Sequence, residues 1–188
     1  IPPTFGAPPD LVQGIIAGGA SALHAAVEGA EDQAEAGALA VVERGITARD
    51  VVCGITASGR TAFVLGALAR AREIHAKTIL LTCNPARRRG DERYDVEVDL
   101  ETGPEILTGS TRLKAGTATK VALNIISTCT MIRLGKVRDN LMIDLNVSNQ
   151  KLRDRGIRVV AQVRNCSRAE ARARLEAANW NVRAALGE

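Results

Sequence analysis

"VVCGITASGRTAFVLGAL", Val51 to Leu68, is the stretch on which the fold turns. Val51 to Thr56 is apolar and β-branched, the pattern of a strand buried on both faces. The run stops at Thr56-Ala57-Ser58-Gly59-Arg60-Thr61, and Val64, Leu65, Leu68 and Ala69 then recur at the spacing of a helix's inner face. A buried strand that hands over to a helix through a polar turn is the unit from which parallel α/β sheets are built, and such sheets bind ligands beyond the carboxyl ends of their strands. The turn lies at such an end. The first N–H groups of a helix have no partners within it, and the helix dipole adds partial positive charge there, so an anion is favoured. Ser58 and Thr61 add hydroxyl donors, Gly59 lets backbone come close and Arg60 brings charge, a set that suits a phosphate monoester. The plainer reading is that Ser58 or Thr61 simply caps the helix. Residue types alone weigh the two evenly. GxGxxG and Walker spacings are missing, which counts against dinucleotides and ATP.

The flanking sequence extends this unit in both directions. Leu11 to Ala17 is a short apolar run ended by Gly18-Gly19 and reads as a buried strand. Ala20 to about Glu43 favours helix, with breaks near Gly29 and at Gly45, so two helices are expected there. Lys77 to Pro85, "KTILLTCNP", is a second buried strand, punctuated by Asn84-Pro85. Tyr94 to Leu100 alternates, with Val96, Val98 and Leu100 on one face, as an edge strand would. Thr111 to Leu134 is a long helix on which Ala118, Val121, Ala122, Ile125, Cys129 and Ile132 recur at three-and-four spacing. The order predicts a mostly parallel sheet with helices on both faces, a three-layer α/β domain over residues 1–160. The tail, residues 165–188, differs: Ser167 and Glu170 form a capping box, and the apolar positions suit two short helices around Trp180, a small helical appendage.

Composition bounds the function. With 188 residues, 46% of them hydrophobic, the chain is about one domain with a real aliphatic core. Aromatic residues make up only 2%, too few for a single-strand stacking surface. The net charge is +4, and the densest basic run, Arg87-Arg88-Arg89, is followed at once by Asp91 and Glu92, which reads as a solvated loop. No nucleic-acid partner is inferred. Cys53, Cys83, Cys129 and Cys166 are scattered without a CxxC pair and read as buried reduced thiols of a cytoplasmic protein rather than disulfides or a zinc site. No apolar run approaches the ~18 residues of a membrane span. The chain starts at Ile1 rather than Met, so the loss of an N-terminal portion is expected.

Two further polar segments stand out. Thr102 to Lys120 places Glu105, Thr108, Ser110, Thr111, Lys114 and Thr117 in a glycine-containing loop and the first turns of the long helix. It is either an N-cap with a solvated first turn, or the second wall of a polar pocket with Lys114 as an anion or hydroxyl ligand and Glu105 as a carboxylate partner. Glu28, Glu31, Asp32 and Glu35 form an acidic run of the kind that is usually solvated, and spacing singles out none of them.

Longer motifs go further. "PPTFG" (Pro2 to Gly6), "IIAGG" (Ile15 to Gly19), "AVEGAED" (Ala26 to Asp32), "ASGRT" (Ala57 to Thr61), "TCNP" (Thr82 to Pro85), "GPEILTGSTRLKAGTATK" (Gly103 to Lys120) and "RLGKVRDNLMIDLNVSNQKLRDR" (Arg133 to Arg155) together resemble the N-acetylmuramic acid 6-phosphate etherases. The resemblance implies a sugar isomerase (SIS) fold, commonly a homodimer with its site near the subunit interface. It implies a lyase that removes D-lactate from the sugar phosphate and then adds water, without metal or redox cofactor, in the cytoplasmic recycling of cell-wall amino sugars. By the same resemblance, Glu31 is the base at C2, Ser58, Gly59, Arg60 and Thr61 are the phosphate turn, and Glu105, Ser110, Thr111 and Lys114 bind substrate. The family's acid glutamate and a further Gly/Ser turn with its strand are expected upstream of Ile1. A non-catalytic sugar-phosphate sensor resembling glucokinase regulatory protein is the alternative. An aldose-ketose isomerase on the same fold fits the "VEGAED" and "GSTRLKAGTATK" motifs less well.

Overall fold

A computed structural model describes residues 1–86 and 93–187, so the Arg87 to Glu92 loop lies outside the described residues. The chain divides into two compact units, residues 14–124 and residues 1–13 together with 125 onward.

The first unit holds the sheet. Short 3-10 turns at Gly19–Leu23 and Ala30–Asp32 precede helix α2 (Ala34–Glu43), numbered after α1 (Pro2–Phe5) of the other unit. Strand β1 (Val51–Ile55), helix α3 (Ala62–Glu73), strands β2 (Lys77–Thr82) and β3 (Val96–Asp99) and helix α4 (Lys114–Arg133) follow, α4 running on past the end of the unit. The strands pair in the order β1-β2-β3, all parallel, with Val51 opposite Lys77 and Ile79 opposite Val96. The expected α/β class, a parallel sheet flanked by helices with a helical C-terminal part, is what forms. β2 is the buried strand, with Thr78, Leu80, Leu81 and Thr82 all 1% exposed or less. At its start Asp95 accepts from Lys77 Nζ at 2.6 Å and from the Thr78 N–H and hydroxyl at 2.8 and 3.0 Å. Those bonds, the lysine's first, pull the Asp95 carboxyl down to about 2.

Helix packing here depends on glycine. A Cβ at Gly37 of α2 would sit 1.9 Å from the Phe63 carbonyl oxygen, and one at Gly66 of α3 would sit 2.1 Å from that of Ala34. The two helices therefore touch backbone to backbone. Gly54 of β1 does the same for the sheet, its missing Cβ being replaced by Leu68 Cδ1 and Val64 Cγ1.

Several sequence expectations are corrected. Leu11 to Ala17 is not a strand: it is irregular, with Leu11, Val12 and Ile16 exposed, and the described sheet consists of β1, β2 and β3 alone. Between Ala20 and Glu43 only α2 is an α-helix, since Gly18, Gly19 and Gly29 all take positive φ and leave short 3-10 turns between them. β1 is not buried on both faces. α3 covers Gly54, but Val51 and Ile55, on the opposite face, are 58% and 39% exposed. On α3 the buried residues are Phe63, Ala67, Leu68 and Ala71 rather than Val64, Leu65 and Ala69, because α2 crowds the helix as well as the sheet. α4 is a helix as expected, but Val121, Ile125, Cys129 and Ile132 of its apolar series are exposed, while Ala115 and Met131 are buried. None of the four cysteines is fully buried, and Cys129 is exposed.

The second unit is stapled by charge and packed by helices. It contains α1, a small antiparallel pair β4 (Val137–Arg138) and β5 (Leu141–Met142), and helices α5 (Gln150–Arg164), α6 (Arg168–Ala177) and α7 (Val182–Leu186). Asn149 caps α5 through the Leu152 N–H, and the expected Ser167/Glu170 capping box opens α6. Ile143, Leu145, Val159, Val160, Ala171, Leu175, Val182, Ala185 and Leu186 form its core, so the tail helices share one apolar cluster with α5. Asp144 takes Lys136 Nζ at 3.0 Å and Arg183 Nε at 2.6 Å. Burial pushes its carboxyl up, but these two cations outweigh burial and hold it below the usual range.

Candidate functional site

β1 delivers its last residue, Ile55, to the turn that opens α3, and the turn folds onto itself through hydroxyls. Thr56, 5% exposed, places its Oγ1 2.8 Å from Thr61 Oγ1 and 3.4 Å from Ser58 Oγ. The Arg60 N–H donates to Ser58 Oγ at 3.2 Å, and the Gly59 N–H to the Thr56 carbonyl at 3.2 Å. Gly59 has φ 73°, a left-handed conformation that strains any residue with a Cβ. Thr61 is the N-cap position of α3, yet its side chain makes no cap bond. The plain capping role is therefore not what its hydroxyl does. The Ser58 and Arg60 side chains face solvent.

The neighbouring strand grips this turn. Thr56 N–H continues the ladder to the Leu81 carbonyl at 3.0 Å, and beyond the end of β2 the Cys83 N–H donates to the Ala57 carbonyl at 3.1 Å. Thr82 Oγ1 reaches the same carbonyl at 3.2 Å, and Asn84 Nδ2 donates to the Ser58 carbonyl at 3.2 Å. Cys83 also faces α4: its Sγ lies 3.8 Å from the Ala115 carbonyl and 3.8 Å from Thr119 Oγ1. The two polar segments separated by some fifty residues in the chain thus meet across Cys83.

At the second segment, the Glu105 carboxylate accepts from the Lys114 N–H and the Ala115 N–H, each at 2.9 Å. These bonds, Ala115's first, hold its carboxyl below the usual range. Ser110 is half-buried in the loop and Thr111 exposed, the two turning it through N–H bonds to the Leu107 and Gly109 carbonyls at 2.9 and 3.0 Å. Lys114 is exposed, beside a shallow cleft lined also by Arg112, Leu113, Thr117 and Ala118. Glu31 lies on the 3-10 turn Ala30–Asp32, exposed, and this turn packs on α3. Among the described residues, no cluster of three or more His, Cys, Asp or Glu could hold a metal ion.

The sequence reading passed over Thr56, Thr82, Cys83 and Asn84 as site-forming residues. For Thr82, Cys83 and Asn84 the one signal was "TCNP" itself, polar residues at the end of a buried strand and Asn before Pro; Thr56 was legible only as the start of the turn.

Comparison with known proteins adds to this geometry. Residues 5–72 match the model of the glucokinase regulatory protein N-terminal SIS domain, which takes in Glu31 and the whole Ser58–Thr61 turn. The fold is of the SIS type. Residues 139–185 match the C-terminal lid domain of glucokinase regulatory protein. Over 98% of its length the chain is 53% identical to the N-acetylmuramic acid 6-phosphate etherase of Gloeobacter violaceus, 54% to that of a Picosynechococcus species and 52% to that of Microcystis aeruginosa. The chain spans about 60% of the length of these relatives. It is similar to the etherases from end to end, including the Glu105 to Lys114 segment that lies between the two matched models.

Proposed function

We propose that this SIS-type chain carries the sugar-phosphate site of an N-acetylmuramic acid 6-phosphate etherase, a lyase acting in the cytoplasm on amino sugars from peptidoglycan. What carries the reading is identity of about half the residues along 98% of the chain to relatives of that name, together with a hydroxyl-lined turn at a strand's carboxyl end. In the open-chain sugar the C2 proton lies next to the aldehyde and is acidic. Glu31 takes that proton, the C3–O bond breaks, and D-lactate departs with a proton from an acid that the residues named here do not supply. Water then adds at C3 while a proton returns to C2, giving N-acetylglucosamine 6-phosphate. Ser58, Gly59, Arg60 and Thr61 hold the 6-phosphate, while Ser110, Thr111 and Lys114 line the sugar's other side. Glu105 serves that wall through the backbone it binds. The reading requires no metal or redox cofactor and includes a homodimer; Val121, Ile125 and Ile132, each about half exposed on α4, offer a second copy apolar surface to cover.

A second reading, a sugar-phosphate sensor without catalysis, is favoured by the two matched models, both of glucokinase regulatory protein. One experiment separates them. N-acetylmuramic acid 6-phosphate is incubated with the chain in deuterated water, with C2 exchange followed by NMR and lactate assayed in the same tube. Exchange and lactate release support the etherase, and Glu31→Gln should then slow exchange on the order of 100-fold or more with binding kept. Binding with neither signal leaves two readings, a sensor or an incomplete etherase site, and the same assay on a chain with the upstream residues restored separates them. Undiminished exchange in Glu31→Gln removes Glu31 from the base role.

A further inference from the structure

The donors of the Thr56–Thr61 turn are aimed from outside the turn. In a trans peptide the carbonyl and the following N–H point in opposite directions, and every peptide described here is trans. The Ala57 carbonyl is held toward the end of β2 by Cys83 N–H and Thr82 Oγ1, so the Ser58 N–H, which shares that peptide, points away from β2. The Ser58 carbonyl is held the same way by Asn84 Nδ2, which turns the Gly59 N–H inward to the Thr56 carbonyl. The anchor is itself prearranged. Asn84 precedes Pro85, which confines its backbone to extended conformations, and its own N–H is bound by Thr82 Oγ1 at 3.2 Å. Thr82 is 0% exposed, so its hydroxyl has these two bonds to make and no solvent in which to make others.

We propose that Asn84, together with Thr82, is a positioning residue for anion recognition: its amide fixes the Ser58–Gly59 peptide, as the Thr82 hydroxyl fixes the Ala57–Ser58 peptide, and the two hold Ser58 so that its N–H and hydroxyl face a phosphate monoester. The proposal rests on the sugar-phosphate reading of the same turn. The side chain has to be a donor at this point. An aspartate of the same shape would set a carboxylate against the Ser58 carbonyl and close to the ligand's own charge.

The test measures binding of N-acetylglucosamine 6-phosphate and of unphosphorylated N-acetylglucosamine to the full chain, by calorimetry and saturation-transfer NMR, with Asn84→Asp, Thr82→Val and Ser58→Ala. Asn84→Asp should weaken the phosphorylated ligand roughly tenfold or more and leave the unphosphorylated one within about twofold, with Thr82→Val a few-fold weaker in the same sense. If Asn84→Asp does not fold, the near-isosteric Thr82→Val carries the same comparison. Equal losses for both ligands would mean that the turn has merely collapsed, and the proposal falls. Wild-type affinity in Asn84→Asp and Thr82→Val with a loss in Ser58→Ala overturns the positioning role and spares the phosphate turn. No loss in Ser58→Ala overturns both.

Discussion

Helices α3 and α4 both begin at polar, glycine-bearing loops in the same unit, and their first turns are put to opposite uses. At α4 the chain supplies its own anion, with Glu105 taking the N–H groups of Lys114 and Ala115 at 2.9 Å each. At α3 the Thr61 hydroxyl goes sideways to Thr56 at 2.8 Å and makes no cap bond to the helix. The lesson is that a loop of Ser, Thr and Gly before a helix does not by itself mark an anion site. An end already filled by a carboxylate has its field and donors used. At the other end the hydroxyls bond one another and a neighbouring strand turns the peptides, an arrangement that the proposed phosphate site would use.

The comparison can be broken at several levels. The largest effect is expected where α3 is seated. Gly37→Ala puts a methyl 1.9 Å from the Phe63 carbonyl, and forcing the helices apart should cost about 1–3 kcal/mol or more. Urea denaturation should show a clearly lower midpoint; an unchanged one would mean that the α2–α3 contact does not set where α3 begins. Next is Ser58→Ala, expected to weaken binding of the phosphorylated sugar roughly tenfold, since a hydrogen bond to a charged group contributes about 1.5–3 kcal/mol. Titration of an inorganic phosphate competitor against this variant would show whether the loss belongs to the phosphate.

The smallest effects are expected at α4. Glu105→Ala should lower the melting temperature modestly at neutral pH and leave phosphorylated-ligand affinity within a few-fold. A loss as large as that of Ser58→Ala would erase the distinction between the two helix ends. The acid dependence has a definite sign. Backbone bonds hold the Glu105 carboxyl below its ordinary 4.5 in the folded chain, so its contribution is full above that value and fades as pH falls through the lower, folded one. The gap in melting temperature between wild type and Glu105→Ala should therefore close on acidification. A gap that stays constant down to strongly acidic pH would show that the carboxylate is not the cap.

Much of this was legible in the sequence where the signal is local. β2, the extent of α4 and the α6 capping box follow from apolar runs, three-and-four spacing and Ser-x-x-Glu, each of which acts within a few residues. The position of the Thr56–Thr61 turn was legible for the same reason. Its internal bonding was not: the residue types allowed Thr61 to be a cap, whereas its hydroxyl lies 2.8 Å from Thr56 Oγ1 across the turn. Glu105 was placed among substrate ligands by resemblance, while its oxygens in fact meet backbone nine and ten residues away.

Sequence by itself determined the alternation of strand and helix and the α/β class, because backbone propensity and periodicity act over short distances. Tertiary structure alone decided which apolar faces are covered. Leu11 to Ala17 and the outer series of α4 have the composition of core, yet apolar character states only that burial would be favourable and not that a partner is at hand. It also decided the direction of the Ser58 peptide, because that direction is set by Thr82, Cys83 and Asn84, which reach the turn only once two parallel strands have paired.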